Sequence, residues 1–324
     1  MLTIAQYRET FLEYLNKKIT TKEPVNLYEP ITYILQLGGK RLRPVLVLMS
    51  ADIFDSSYKK ALDAALAVEV FHNFSLIHDD IMDAAPLRRG KPTVHERWDL
   101  NTGILSGDAM LINAYQLFEN YDGKMFKELA QLFTKTAIEV CEGQQYDIDF
   151  AGRDDVKIED YLKMIEYKTA VLVGASLRMG AIIAETSEGN KDAIYEYGRL
   201  LGIAFQLQDD YLDAFGDPKT FGKQVGGDII ENKKTFLYIT ALENSDPGEA
   251  RQLEDLYSIN PGDSAGKVEA VKYLFEKSGA AQLTREEIKK FTNEAFAALD
   301  QMDLPENKKG LLKKFGESLM NRTV

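Results

Sequence analysis

The stretch that constrains this chain most runs from Lys59 to Ala84 and closes on Asp79-Asp80-Ile81-Met82-Asp83. Small and apolar residues at Ala61, Leu62, Ala64, Ala65, Ala67, Val68, Val70 and Phe71 predict a helix buried nearly all round. On a helix, residues four apart leave the same face one turn from each other, which brings Asp79 and Asp83 together with Asp80 beside them. Carboxylates packed this closely repel and desolvate one another, so they are poor structural choices unless a cation neutralises them. An oxygen-only site with few protein ligands suits Mg²⁺ that keeps several waters and shares substrate phosphates. Taken alone, however, such a cluster is more often a solvated acidic face.

A second copy of the pattern changes that weighing. Gln206-Leu-Gln-Asp-Asp-Tyr-Leu-Asp213 repeats the spacing about 130 residues later, behind the apolar run Leu200 to Phe205. Two such clusters facing each other would make a cavity for two or three Mg²⁺ ions and a polyphosphate. Basic segments accompany them at Gly38-Gly-Lys-Arg-Leu-Arg-Pro44, at Arg88-Arg-Gly-Lys-Pro92, and at Gly222 to Thr235, which holds Lys223, Lys233 and Lys234. Each part is weak alone; the set is specific.

From about Gly38 to Thr235 these motifs, in this order, resemble the trans-prenyltransferases. Those are the polyprenyl diphosphate synthases that condense isopentenyl diphosphate with allylic diphosphates such as dimethylallyl, geranyl or farnesyl diphosphate. The resemblance implies an isoprenoid synthase fold, a homodimer and a division of labour among residues. Lys40, Arg43, His72 and Arg89 would bind isopentenyl diphosphate. Arg88, Lys168, Thr169, Gln206, Lys223 and Lys233 would serve the allylic diphosphate. Asp79, Asp83 and Asp209, assisted by Asp80, Asp210 and Asp213, would hold about three Mg²⁺ ions, for which Mn²⁺ can substitute. The metals would draw charge from the leaving diphosphate, while the dipoles of Thr169 and Gln206 stabilise the allylic cation without reacting with it. No side chain in this set is a convincing general base, so the released diphosphate takes the proton.

Composition is consistent with this. Nine prolines and no Gly/Ser-rich linker leave no obvious boundary in 324 residues, so a single domain over 1–324 is expected. Apolar residues make up 45% of the chain, enough for a sizeable core. A net charge of −12 argues against a nucleic-acid surface. Cys141, the only cysteine, excludes an intramolecular disulfide and reads as an inert core thiol. With no run of 18 apolar residues and an N-terminal segment that reads as an amphipathic helix, neither a membrane span nor a signal peptide is expected, and the compartment reads as the cytosol.

Periodicity predicts helices over Thr3 to Ile19, Ile31 to Leu37, a buried run at Val45 to Met49, Asn101 to Tyr121, Lys124 to Phe150, Ile158 to Ala184 and Lys191 to Phe215. Beyond Leu237 only helical hairpins follow, with turns at Ser245 to Gly248, Asn260 to Gly262 and Leu304-Pro305, and no segment reads as a sheet. The expected architecture is all-α, a large bundle around a deep central cavity. Gly38-Gly39 reads as a helix stop, Pro44 as a first-turn proline, and the backbone between them as an anion site. Glu142 to Asp147 reads equally as cavity rim or solvated surface; His78 reads as structural. Gly174 and Gly180 permit close helix packing or a kink.

Product length follows from helix geometry. Ser75 and Phe74 lie four and five positions before Asp79, roughly 6 to 7.5 Å along the helix, with Phe71 a turn further. In the resembling family, aromatic residues at both positions go with a C15 product, and a single one five positions before the cluster goes with C20. Phe74 beside the small Ser75 therefore points to geranylgeranyl diphosphate, with farnesyl diphosphate as runner-up. The alternative is that Phe74 is ordinary core and another helix, such as Val45 to Met49, sets the floor. A class I terpene cyclase or a head-to-head synthase has no isopentenyl diphosphate to hold, whereas both basic segments are here. A non-catalytic subunit would be expected to lose one carboxylate cluster.

Overall fold

The computed structural model describes residues 1–217 and 225–320; Lys223 lies outside them. Every long element among the described residues is a helix, as the sequence periodicity predicts. None is long and apolar enough to cross a membrane. The chain divides into two compact units, Met1–Thr134 with Ala175–Asp192 and Lys135–Gly174 with Ala193–Val324.

In the first unit, α1 (Ile4–Lys18) starts at a capping box in which Thr3 and Gln6 satisfy each other's backbone N–H groups. It buries Tyr7, Phe11 and Leu15. The second helix begins earlier than the sequence suggests: α2 (Val25–Gln36) follows Pro24 directly and carries Pro30 inside. An interior proline forfeits a backbone hydrogen bond at a cost of about 3 kcal/mol. Burial of Ile31, Ile34 and Leu35 offsets that at about 1.5–3 kcal/mol per side chain. In α3 (Leu42–Ile53), Pro44 sits in the first turn and Val45 to Met49 are at most 4% exposed. A 3₁₀ turn, Tyr58–Ala61, leads into α4 (Leu62–Met82), which is buried without interruption from Ala64 to Phe71.

One feature had no signal in the periodicity. Leu87–Arg88 (β1) pairs antiparallel with Lys91–Pro92 (β2), joined by Arg89 and Gly90. Both linking residues have positive φ, 53° and 73°, as a two-residue hairpin loop demands. After α5 (Val94–Arg97), α6 (Leu100–Gln116) packs along α4, and α7 (Gly123–Ala151) begins.

The second unit holds the rest of α7, then α8 (Ile158–Ile165), a π-helical turn at Glu166–Ala170, the start of α9 (Val171–Ile183) and most of α10 (Glu188–Phe215). It continues with α11 (Gly227–Ile230), α12 (Phe236–Asn244), α13 (Pro247–Tyr257), α14 (Ala265–Lys277), α15 (Ala280–Asp300) and α16 (Glu306–Met320). Tyr161, Ile203, Leu207, Phe236, Leu253 and Phe275 belong to its core. Gly174 lies against the Tyr195 carbonyl, so close packing is its role; in the first unit Gly180 lies likewise against the Val47 carbonyl.

Cys141 is exposed, not a core thiol. The buried stripe of α7 runs through Ala137, Val140 and Gln144, and one residue past Val140 the helix has turned by about 100° toward solvent.

Candidate active site

In the first unit, Asp79 and Asp83 are one helical turn apart at the end of α4, the Asp83 N–H donating to the Asp79 carbonyl at 2.9 Å. This is the negative end of the helix dipole, where carboxylates are disfavoured and a cation is welcome. Asp80 faces the other way and is 1% exposed. Arg88 donates to both its oxygens, from Nε at 2.8 Å and from a terminal nitrogen at 2.7 Å, the planar match that suits a guanidinium to a carboxylate. The Asp80 and Arg88 side chains therefore neutralise each other.

The basic segments of this unit converge. Gly38 and Gly39 take φ of 85° and 119°, values that glycine adopts without strain; the Arg89 guanidinium lies against Gly39 and donates to the Gly38 carbonyl. Arg43, in the first turn of α3, reaches His72 on α4 at 3.4 Å. Lys40 stands exposed at the start of the same turn. Arg41, between them, turns inward, pairs with buried Glu69 and donates to the Leu35 carbonyl. Of the three cations between Gly39 and Pro44, the middle one is structural, Lys40 is exposed and Arg43 faces His72. Burial lowers the Arg43 and Arg89 guanidinium pKa values, and for Arg89 the neighbouring Arg41 and Arg88 add to it. Crowded, partly desolvated cations of this kind suit a polyanion.

Burial first, then the charges of Arg43, Arg89, Arg88 and Arg41, hold the His72 imidazole well below its ordinary 6.5. A neutral ring accepts from Arg43. Below pH 6.5 the unfolded chain takes up a proton that the folded state refuses, so stability is expected to fall as pH drops from 6.5 toward the lower folded value. The slope is at most about 1.4 kcal/mol per pH unit. Urea titrations of wild type and His72→Gln should show a flatter curve for the variant in that window; superimposable curves would contradict the assignment.

In the second unit the π turn carries Lys168 and Thr169, the two residues singled out in that segment, and π turns concentrate at functional sites. Gly143 on α7 makes the seat: a Cβ there would come within 2.2 Å of the Lys168 backbone nitrogen. Lys168 Nζ donates to Asp147 at 2.6 Å. Thr169 Oγ1 donates to Gln206 Oε1 at 3.2 Å, and Gln206 Nε2 donates to Asp210 at 2.9 Å, which fixes how the amide is turned. Tyr161 of α8 donates to the other Asp210 oxygen. Asp210 is 7% exposed, and burial, followed by the charge of Asp228, pushes its carboxyl well up. Asp213 accepts from the Asp228 N–H at 2.9 Å, and burial with the charge of Asp213 raises Asp228 to about 6. Lys233 lies 3.5 Å from Asp228 and 2.8 Å from Glu231.

Asp147, Gln144, Tyr161 and Asp228 were not assigned from sequence. Only the Glu142 to Asp147 stretch carried a signal, and there the structure divides it: Gln144 is 8% exposed while Glu142 and Gln145 face solvent. Both amide atoms of Gln144 are buried without a hydrogen-bond partner, one turn before Asp147. A buried amide left unpaired in this way can be completed by a polar ligand or by an ordered water.

The donor set fits a hard divalent cation. Each unit offers two carboxylates one turn apart, Asp79 and Asp83 at the negative end of α4, and Asp209 and Asp213 on α10, the latter in its last turn. Among the described residues no three His, Cys, Asp or Glu side chains converge on one point as an all-protein cage. Such sparse ligation is what Mg²⁺ tolerates when water and substrate phosphates complete its shell.

The chain matches the polyprenyl synthetase family over residues 24–275. It is 54% identical to a geranylgeranyl pyrophosphate synthase of known crystal structure, with a TM-score of 0.96 and the whole of both chains covered. The geranylfarnesyl diphosphate synthase of Natronomonas pharaonis is 35% identical over 99% of this chain and 97% of its own length. For the geranylgeranyl diphosphate synthase of Methanosarcina mazei the identity is 37%, over 80% of this chain and 83% of its own. With its all-α isoprenoid synthase fold, the chain therefore belongs to the polyprenyl synthetase family and is a prenyltransferase, a short- to medium-chain trans-prenyl diphosphate synthase.

Proposed function

We propose that this enzyme adds isopentenyl diphosphate to allylic diphosphates with Mg²⁺ as its metal and geranylgeranyl diphosphate, C20, as its main product. The observation that carries the two-substrate reading is the gathering of Arg43, His72 and Arg89 beside the Gly38-Gly39 turn, a cationic site additional to the carboxylates of Asp79 and Asp83. A terpene cyclase has no use for a second diphosphate site.

On this reading Lys40, Arg43 and Arg89 hold the isopentenyl diphosphate, with neutral His72 positioned by Arg43. Arg88, Lys168, Lys223 and Lys233 serve the allylic diphosphate. Asp79, Asp83 and Asp209 hold the Mg²⁺, which when bound offsets the charge gathering on the departing diphosphate. Asp80 and Asp210, each engaged by protein donors at both oxygens, orient their neighbours. Gln206 Oε1 and Thr169 Oγ1 present oriented dipoles that stabilise an allylic cation and do not capture it. The proton lost from the condensed product passes to the released diphosphate.

Support for the product length comes from Phe74, 8% exposed, and the small Ser75, whose hydroxyl donates back to the His72 carbonyl at 2.9 Å. Incubation with labelled isopentenyl diphosphate and dimethylallyl or farnesyl diphosphate, with chromatography of the dephosphorylated products, tests the reading. Phe74→Ala is expected to lengthen the product by one or more prenyl units and Ser75→Phe to shorten it. No shift in either variant places the floor elsewhere. The name of the Natronomonas relative favours a second reading, a product one prenyl unit longer, which the wild-type chromatogram separates directly.

The enzyme is further proposed to be a homodimer. Support comes from α6, where Leu100, Ile104, Leu105 and Ile112 are 40–59% exposed, a row of large apolar side chains unusual on a surface helix. Sedimentation at micromolar concentration should give the dimer, and Leu105→Asp with Ile112→Asp the monomer. A wild-type monomer is the contrary result.

A further inference from the structure

We propose that His78 is a specificity-determining residue: seated in a notch at Gly107, its ring braces Phe74 and so sets how far the product grows. The proposal rests on the reading that Phe74 forms the floor of the elongation site.

His78 stands one residue before Asp79 and one helical turn after Phe74, so its ring and the Phe74 ring share a face of α4. The two rings are 4.8 Å apart at 68°, an edge-to-face contact. On the far side of Phe74 stands Phe71, 5.5 Å away, 1% exposed and itself edge-on to Phe133 at 5.1 Å. Phe74 is thus flanked by one ring locked in the core and one ring that is 26% exposed. What fixes the second ring comes from α6. His78 Nε2 lies 3.3 Å from the Ile104 carbonyl oxygen and 3.9 Å from the Asp108 carboxylate. A donor at Nε2 satisfies that carbonyl and selects the tautomer. Beneath the ring is Gly107, where an added Cβ would come 2.3 Å from Nε2 and 2.6 Å from Cδ2. No residue larger than glycine leaves the imidazole where it is. The notch, the carbonyl and the ring form one device, and its free edge meets Phe74.

Without the imidazole, Phe74 gains room on the side where the core does not hold it, and the floor retreats. A side chain at Gly107 drives the imidazole out of its notch and disturbs the same ring from behind. The test is the chain-length distribution of dephosphorylated products from His78→Ala, His78→Gln, Gly107→Ala, Phe74→Ala and the double variant His78→Ala with Phe74→Ala. His78→Gln keeps a donor for Ile104 while removing the ring, and guards against loss of folding in the alanine variant. Both His78 variants are expected to raise the share of product one prenyl unit longer by several-fold, and Gly107→Ala to alter the distribution. The double variant should match Phe74→Ala alone, because His78 acts through Phe74. If Phe74→Ala lengthens the product and both His78 variants keep the wild-type distribution, the brace is refuted while the floor reading stands. Additive lengthening in the double variant also refutes it. If Phe74→Ala changes nothing, the floor reading falls and this inference with it.

Discussion

Asp79→Ala and Asp209→Ala are each expected to lower kcat by about three to five orders of magnitude, on the order of 4–7 kcal/mol of lost transition-state stabilisation. Asp79 sits in the last turn of α4, where its negative charge opposes the dipole and favours a nearby cation, while Asp209 lies further inside α10, one turn before Asp213. On the proposed reading, removing one takes away a metal ligand and spares the packing, so thermal unfolding should stay within a few degrees of wild type or rise. Single-turnover rates at saturating substrate, alongside circular dichroism melts, check both halves. Near-normal rates in either variant would sink the metal assignment. Chelation should abolish wild-type turnover, and Mg²⁺ or Mn²⁺ should restore it.

Glu69→Ala should cost about 3–5 kcal/mol of stability, more than most core truncations of similar size. The side chains of Arg41 and Glu69 are 2% and 3% exposed, and Asn73 donates to the same Glu69 oxygen at 2.9 Å. Losing the carboxylate strands a guanidinium in the interior with only the Leu35 carbonyl to receive it. Arg41 also holds a left-handed φ of 53° between Lys40 and Arg43, so its tether sets how the cationic turn is presented. The KM for isopentenyl diphosphate should therefore rise as stability falls. Urea unfolding that changes by less than about 1 kcal/mol would show that the pair is dispensable.

Much of this was legible in the chain because it depends on local periodicity. The helix that carries Asp79 and Asp83, the buried run Val45 to Met49 and the first-turn Pro44 follow from spacing and side-chain size alone. What escaped depends on contacts between segments far apart in sequence. Arg41 looks like Lys40 and Arg43 until Glu69, 28 residues away, draws it inward. Asp80 looks like Asp79 and Asp83 until the hairpin at Arg89-Gly90 brings Arg88 onto both its oxygens. Cys141 stands in an apolar run that reads as buried, but adjacent helical residues diverge by about 100°, which leaves its own face exposed. The start of α2 was misplaced because an interior proline is a penalty that burial can overcome.

The π turn at Glu166–Ala170 has a consequence for how this chain tolerates change in length. A turn with i→i+5 hydrogen bonds is an α-helix with one residue too many, so α8 and the first turn of α9, up to Gly174, are two phases of one helical path. α8 is phased to bring Tyr161 onto Asp210, and α9 to bring Gly174 onto the Tyr195 carbonyl. Deleting a single residue between them would restore unbroken α geometry and, at about 100° per residue, carry one of those contacts off its partner. A chimera that borrows α8 from a relative must therefore match the residue count through Ala170 to the unit, even where surface loops would absorb several insertions.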